Sequence, residues 1–368
     1  MQGGQGPLTR LSGNWGMHIF DGIADLIRVV DDQNEVVYVN EAMWECLLGD
    51  EARLTCSLDC EKHCLCNPHI TERSLQTGEI IQREEDYAGE IYSVKTSPIW
   101  HEGQIVGAVE VFRNKTREKH LERQLTEKTR ALSREMDQAR VIQQHLLPQR
   151  GFYHQVRVDY LFRPQGAISG DMIDVFPLPG NRVGFYISDT VGHGFASGMT
   201  TMFIRQAMRS ILDVERMIPS RTLEILHRRF VALGLDVDTY FTMFYGVYDP
   251  KVHKVYFANA GHNCAPLRLS EGRIYPLEVS GKPICALFDE VHYEDYYVDL
   301  YTGDGLLLFT DGISESTSSG GEAYGLGRIY RQARELHPDL LTRIEEDRHR
   351  HTQGIQKDDV TALLLEIF

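Results

Sequence analysis

Four aspartates of this chain stand where an apolar strand begins or ends: Asp171 in "AISGDMID", Asp189 in "YISDTVGHG", Asp311 in "LFTDGIS" and Asp358 in "QKDDVTALLLEI". Small residues beside each let backbone and ligand come close. If the four strand ends converge, the carboxylates repel one another and raise each other's pKa unless cations neutralise them. Hard divalent ions, Mn²⁺ or Mg²⁺, are the natural partners of such oxygen donors. Two such ions about 3.5–4 Å apart clamp a phosphoryl group and activate a water, so hydrolysis needs no protein nucleophile. The C-terminal half accordingly shows no Gly-x-Ser-x-Gly turn and no reactive-cysteine signature. A single acid after a strand reads as a turn or helix-cap residue; the set of four carries the inference.

The elements that must position these acids follow from the pattern beyond Gly151, which is α/β. "NRVGFYISD" reads as a strand ending on Asp189, "ASGMTTMFIRQAMRSIL" as an amphipathic helix, and "SRTLEILHRRFVAL" as a helix capped by Ser220. "YFTMFYGVYD" and "KVYFANAGH" read as a hairpin, and "DGLLLFTDG" and "DDVTALLLEIF" as strands bordered by acids. Ahead of this half, Thr116 to Leu147 is free of glycine and proline and dense in Glu, Lys, Arg and Gln until Pro148, which predicts one long helix over 117–148. Leu125, Leu132, Ala139 and Leu146 recur every seven residues, but the partner positions Glu122, Thr129, Met136 and Gln143 are mostly polar. The helix is therefore a solvated spacer or a marginal dimeric coiled coil able to shift register. The coiled coil is the favoured reading, because a lone polar helix has little to hold it.

The front half reads as a hairpin over 25–40 about an Asp-Asp-Gln-Asn turn, a short helix, and three β-rich runs, "EIIQREEDY", "EIYSVKTSPIW" and "GQIVGAVEVFR". That predicts a small antiparallel sheet with helices inserted early. Between them "CSLDCEKHCLC" supplies Cys56, Cys60, His63, Cys64 and Cys66. Soft ligands of this kind suit zinc or an iron–sulfur cluster. No Cys-x-x-Cys is present, and redox-reactive thiols or an incidental cluster are the alternatives.

Composition excludes several classes. At 368 residues the chain is long enough for two or three domains. A formal net charge of −15 leaves no basic footprint for a phosphate backbone, so nucleic acid is excluded as a partner. The first twenty residues hold no apolar signal core, and no run approaches the ~18 apolar residues of a membrane span. Seven cysteines, an odd number with four packed between 56 and 66, do not form a secreted disulfide framework. The expectation is a cytoplasmic chain.

The ordered set "SGDMID", "SDTVGHGFASGM", "NAGHNCAPL", "LFTDGISE" and "DDVTALLL" resembles the SpoIIE-like branch of the PPM metal-dependent serine/threonine phosphatases, over about 150–368. "REMDQARVIQQHLLP" resembles the helix that commonly precedes that catalytic domain. The resemblance implies an α+β chain whose catalytic part is a sandwich of two antiparallel sheets flanked by helices, with a binuclear metal centre in the cleft between sheet edges. It implies that Asp189 bridges the ions, the Thr190 carbonyl binds one, Asp311 and Asp358 hold the other, and Asp171 acts directly or through water; Asp359 is the alternative to Asp358. His193 or His262 would protonate the leaving oxygen, or serve as structural hydrogen-bonders, and Arg163 would meet the substrate phosphate. Ser169-Gly170-Asp171 departs from the common Gly-Gly-Asp.

Residues 17–116 are similar in architecture to a PAS sensor domain, with "VFRNKT" where such domains often have Arg-Asp-Ile-Thr. The expected whole is a phosphatase in which a PAS input shifts a dimeric helical linker. The linker gates release of phosphate from phosphoserine or phosphothreonine on a partner, expected to be a STAS-type anti-sigma factor antagonist. The rivals are a catalytically silent sensor scaffold and a sensor histidine kinase with His145 as phosphoacceptor, although no Gly-rich ATP lid follows it.

Overall fold

The computed structural model describes residues 19–46, 68–87, 89–192, 194–334 and 337–368. The segment with Cys56, Cys60, His63, Cys64 and Cys66 lies outside the described residues, and so does His193. The chain divides into two compact units, Met1–Ala131 and Leu132–Phe368. No described helix is long and apolar enough to cross a membrane.

The first unit is a five-stranded antiparallel sheet of β1 (Leu26–Asp31), β2 (Val36–Val39), β3 (Ile81–Tyr87), β4 (Glu90–His101) and β5 (Gln104–Asn114). Its order is β2-β1-β5-β4-β3. The β1–β2 turn closes because Asp31 Oδ1 accepts from the N–H groups of Gln33 and Glu35 while Asn34 adopts a left-handed conformation. Helices α1 (Glu41–Cys46) and α2 (Pro68–Thr77) fall between β2 and β3. Met43 of α1 packs with Tyr92, Val94 and Phe112 of the sheet. Arg28 and Glu110 face each other in register on β1 and β5, both buried, with Arg28 Nε 2.6 Å from Glu110 Oε2. Thr71 of α2 donates its hydroxyl to the other Glu110 oxygen.

Helix α3 (Thr116–Leu146) begins in the first unit and ends in the second, two residues short of Pro148. Leu121, Leu125 and Leu132 are exposed along it, whereas Gln143 is buried.

The second unit stacks two sheets between helices. One sheet contains β8 (Asp171–Leu178), β9 (Arg182–Thr190), β10 (Tyr240–Asp249), β11 (Lys254–Ala260) and β15 (Tyr296–Asp299), with β14 (Ile284–Cys285) on β10. The other contains β6 (Gly151–Tyr153), β7 (Val156–Arg163), β12 (Leu267–Ser270), β13 (Arg273–Pro276), β16 (Gly305–Phe309) and β17 (Val360–Ile367). Its order is β13-β12-β16-β17-β7-β6. Both faces of the central strands are covered, which is why β17 is an unbroken buried run. Leu363, Leu365 and Ile367 of β17 meet Val183, Phe185 and Ile187 of β9 between the sheets. Val360, Ala362 and Leu364 meet α8 (Leu326–Ala333) and α9 (Leu340–Thr352) on the far side. On the outer face of the first sheet, α4 (Phe195–Arg209) and α6 (Pro219–Val231), with the short α5 (Asp213–Arg216) between them in the chain, bury Ile204, Met208, Leu223, Leu226 and Phe230. Burial on alternate faces follows the period of two along a strand.

One helix start differs from expectation. Helix α6 opens on Pro219, whose fixed φ and missing N–H suit the first helical position. Ser220 is thus inside the helix, and its N–H and hydroxyl both donate to the Asp295 carboxylate.

Candidate active site

Antiparallel pairing sets the start of one strand beside the end of its neighbour, and this places the four aspartates. In the first sheet Asp171 opens β8 and lies directly opposite Asp189 near the end of β9. In the second, β16 and β17 are paired, so Asp311 just beyond β16 and Asp358 just before β17 share one edge. Asp311 is the first residue of α7 (Asp311–Ser314), after Thr310. A Cβ on the next residue, Gly312, would stand 1.8 Å from the Asp359 carbonyl oxygen, so only glycine lets the two strand ends approach this closely.

Two hydrogen bonds tie the sheets together at this end. Thr310 Oγ1 donates to Asp171 Oδ2 at 2.9 Å, and Gly170 N–H donates to Asp359 Oδ2 at 2.6 Å. Gly170 is hemmed in as well: a Cβ there would lie 3.2 Å from the carbonyl oxygens of both Thr190 and Gly192. Its own carbonyl accepts from Thr190 N–H.

The result is a cleft of about 480 Å³ lined by Asp189, Thr190, Asp311, Asp358, Asn263 and Lys357, among others. Asp171 is buried behind it, opposite Asp189 in the strand register. The two neighbours Asp358 and Asp359 are treated differently. Asp358 is exposed to the cleft, whereas Asp359 is buried and its oxygens accept from the N–H groups of Gln165 and Gly170.

Burial, and then the charges of Asp311, Asp358 and Asp359, push the Asp189 carboxyl up to about 7. Burial and the charge of Asp189 hold Asp171 well above the usual carboxylate range. Bringing these acids together therefore costs free energy that bound cations would relieve. The described lining offers oxygen donors and no thiol or imidazole, a donor set that suits Mn²⁺ or Mg²⁺. Among the described residues no three acids, histidines or cysteines close into a finished cage. The acids instead face an open cleft, as befits ions that retain water and leave room for a phosphoryl group.

Of the other expected residues that are described, His262, Arg163 and His145 do not line the cleft. His262 is buried beneath β16, its Nε2–H donating to the Phe309 carbonyl at 3.1 Å. Burial lowers its pKa to about 4. A neutral ring with its proton so committed is a structural hydrogen-bonder, not the acid for a leaving group. Arg163 is exposed at the end of β7 and is not among the residues that line the cleft; its carbonyl accepts from Gln356. His145 is hydrogen-bonded to the Val141 carbonyl one turn earlier in α3.

The structure adds residues that the sequence did not single out. Lys357 brings a cation to the cleft directly before Asp358, and its ammonium donates to Thr317. Asn263 donates to Asp311 Oδ2 at 3.1 Å and so orients that carboxylate. Asn259 shapes the same loop, accepting from His262 N–H and donating to the His262 and Val279 carbonyls. The adjacency of Lys357 to the acid pair and the repeated asparagine of "NAGHN" were the available signals.

Residues 179–368, more than half of the chain, match the family model described as Stage II sporulation protein E (SpoIIE). The chain is 28% identical over 190 residues to the phosphoserine phosphatase RsbP of Bacillus subtilis, covering 50% of this chain and 46% of that protein. It is 28% identical over 202 residues to the phosphoserine phosphatase RsbU of the same organism, covering 55% and 56%. It thus spans about half the length of the curated relatives it matches. The SiaA-PP2C domain of Pseudomonas aeruginosa superposes with a TM-score of 0.57 at 20% identity, covering 66% of this chain and 99% of that domain. That likeness establishes a PP2C-like fold of antiparallel sheets and helices.

Proposed function

This chain belongs to the SpoIIE family, and from that premise we propose that it is a metal-dependent protein serine/threonine phosphatase regulated by its N-terminal unit. The observation that carries the reading is the convergence of Asp189, Asp311 and Asp358 on one cleft, with Asp171 behind them and the Asp189 carboxyl driven upward. Two Mn²⁺ or Mg²⁺ ions would supply Lewis-acid stabilisation of phosphoryl charge and an activated water. Asp189 and the Thr190 carbonyl would hold them together with Asp311 and Asp358. Asp358 is the ligand of its pair, because Asp359 already spends both oxygens on backbone N–H groups.

The chain's own groups do the rest. Asn263 fixes Asp311, Thr310 fixes Asp171, and Lys357 offers positive charge for a phosphate oxygen. His193 in the loop after Asp189 remains the candidate for protonating the leaving serine oxygen. Arg163 at the second sheet's edge remains a candidate for substrate phosphate beyond the cleft.

The substrate class is phosphoserine or phosphothreonine on a partner protein. RsbP and RsbU are named phosphoserine phosphatases, and a STAS-type anti-sigma factor antagonist is the proposed partner. The first unit is proposed as a PAS-like sensor of a cytoplasmic protein. Its five-stranded order, β2-β1-β5-β4-β3, with helices between the second and third strands, supports this. The cysteine segment is proposed to bind zinc or an iron–sulfur cluster.

The helix over 117–148 is proposed as a dimeric coiled-coil linker that transmits the signal. Its C-terminal end supports that role. Gln143 Nε2 donates to the Ser169 carbonyl at 2.8 Å and to Thr201 Oγ1 at 2.9 Å, while its Oε1 accepts from Ser169 N–H at 2.9 Å. Ser169 adjoins Gly170 and lies two residues from Asp171. A change in the helix would thus reach the acid set through one buried side chain.

The test is hydrolysis of p-nitrophenyl phosphate by the full chain with Mn²⁺ titrated, beside Asp189→Ala. Expected are activity that requires Mn²⁺ and a fall of at least about 10²–10³-fold in the variant, the scale of losing one preorganised charge in an active site. Metal-independent turnover, or activity that survives the substitution, would remove the binuclear reading.

A further inference from the structure

Beside the acidic cleft, and sharing Thr190 and Val191 with it, lies a second cavity of about 520 Å³. One wall is the start of α4, through Ala196, Ser197 and Thr200. The other is the segment 235–239 that leads into β10. This lining differs in kind from that of the cleft. Val191, Leu235 and Val237 line it and are 40%, 43% and 50% exposed. Large apolar side chains gathered this way at the mouth of a site mark an interaction surface, since scattered single ones need no explanation. Asp236 and Asp238 alternate with the two apolar loop residues in the same lining.

We infer that this groove docks the stretch of a protein substrate that flanks its phosphorylated residue, a stretch carrying an apolar side chain and an arginine or lysine. The inference rests on the phosphatase reading. Three observations favour that occupant. The groove adjoins the cleft at Thr190 and Val191, so a chain whose phosphate lies at Asp189 and Lys357 can continue over them into the groove. Its Leu235 and Val237 side chains give nothing to a free phosphate ion, and Asp236 and Asp238 repel one. Asp236 and Asp238 favour a cation on the incoming chain. Docking energy gained away from the phosphate also allows discrimination among phosphoproteins that present the same phosphoserine.

The experiment uses the full chain with Mn²⁺ and three substrates. These are p-nitrophenyl phosphate and two phosphoserine peptides of equal length, one flanked by leucine and arginine, the other by glycine and glutamate. The leucine/arginine peptide is expected to have a kcat/KM about tenfold higher, expressed in KM, as befits one or two pocket contacts. In Leu235→Ser/Val237→Ser the ratio of that peptide's kcat/KM to that of p-nitrophenyl phosphate should fall about tenfold. In Asp236→Lys/Asp238→Lys the preference for the arginine-flanked peptide should reverse. Equal turnover of both peptides, or ratios unmoved by both double variants, would overturn the docking inference while leaving the phosphatase reading intact. A change in sedimentation coefficient on substituting Leu235 and Val237 would assign the groove to a second copy of the chain and overturn it too. Failure to hydrolyse p-nitrophenyl phosphate would remove the phosphatase reading, and the docking inference with it.

Discussion

In the first unit Glu110 is buried opposite Arg28, and its two oxygens are taken by that guanidinium and by the Thr71 hydroxyl. In the second unit Asp171, Asp189, Asp311 and Asp358 are drawn to one place, and the strain is visible in the raised Asp189 and Asp171 carboxyls. The contrast recurs within a single strand. Three residues along β8 from Asp171, the fully buried Asp174 accepts from Arg209 Nε and Nη2 at 2.7 and 2.8 Å. The fold can therefore supply a guanidinium to a buried acid on this very strand. At the strand ends Asp171 and Asp311 instead meet neutral donors, Thr310 and Asn263, and an external cation is the partner that suits the chemistry of the set.

The first way to break this comparison is to make the N-terminal unit resemble the cleft. Glu110→Ala leaves Arg28 buried without its carboxylate and should cost that unit about 3–5 kcal/mol. The three tryptophans, Trp15, Trp44 and Trp100, all lie in the first unit, so their fluorescence during denaturant unfolding reports on it alone. Loss of less than 1 kcal/mol would mean that Arg28 finds water or another partner, and the pair would lose its standing as the neutralised case.

The second sharpens the comparison between adjacent residues. Asp358→Asn should lower Mn²⁺-dependent turnover by about 10²–10³-fold while leaving the metal-free protein as stable as before, or more so, because one repelling charge is gone. Asp359→Ala strips the buried Gly170 N–H and the part-buried Gln165 N–H of their acceptor and should cost about 1–3 kcal/mol in thermal or denaturant unfolding. If the activity loss and the stability loss exchanged places, the ligand would be Asp359.

A smaller effect is expected at the end of α3. Gln143→Ala leaves the Ser169 N–H and carbonyl without that partner. The Mn²⁺ concentration for half-maximal turnover should rise about 10–100-fold, the range seen when outer support of metal ligands is removed. A purely structural role would lower the melting temperature and leave metal saturation where it was. That outcome would sever the proposed path from linker to cleft.

What could be read from the chain alone follows from how local each signal is. The four acids were legible because each sits against a strand of five to nine residues, long enough for its apolar run to show. The stretch from β12 to β15 gave no such signal, since its strands are two to four residues long. Gln143 occupies a polar heptad position that looks solvent-facing in a helix pattern. Its burial is decided by Ser169 and Thr201, which only the folded chain brings near. Asp358 and Asp359 are indistinguishable as neighbours until pairing of β17 with β7 brings Asp359 to the Gln165 and Gly170 N–H groups. The two roles left open for His262 are likewise separated only by the fold, through its contact with β16.

That histidine gives the smallest and most specific test. Its pKa is about 4 in the folded chain against an ordinary value of 6.5, chiefly because burial disfavours the charged ring. The folded state thus prefers the neutral ring, and the unfolded state takes up the proton first as pH falls. The stabilisation is complete above about 6.5 and is lost as pH drops from there toward 4, by up to about 1.4 kcal/mol per pH unit. Asp171 and Asp189 act oppositely in this range, because their raised carboxyls bind protons more readily when folded. The readout must therefore be a difference. In His262→Gln an amide N–H can still donate to the Phe309 carbonyl, but nothing titrates there. The stability gap between native and variant chains should shift by roughly 2 kcal/mol from pH 7 to pH 5, to the detriment of the native chain. Parallel pH profiles would show that the ring reaches water when protonated, and that the floor beneath Phe309 and Asp311 is looser than its hydrogen bonds indicate.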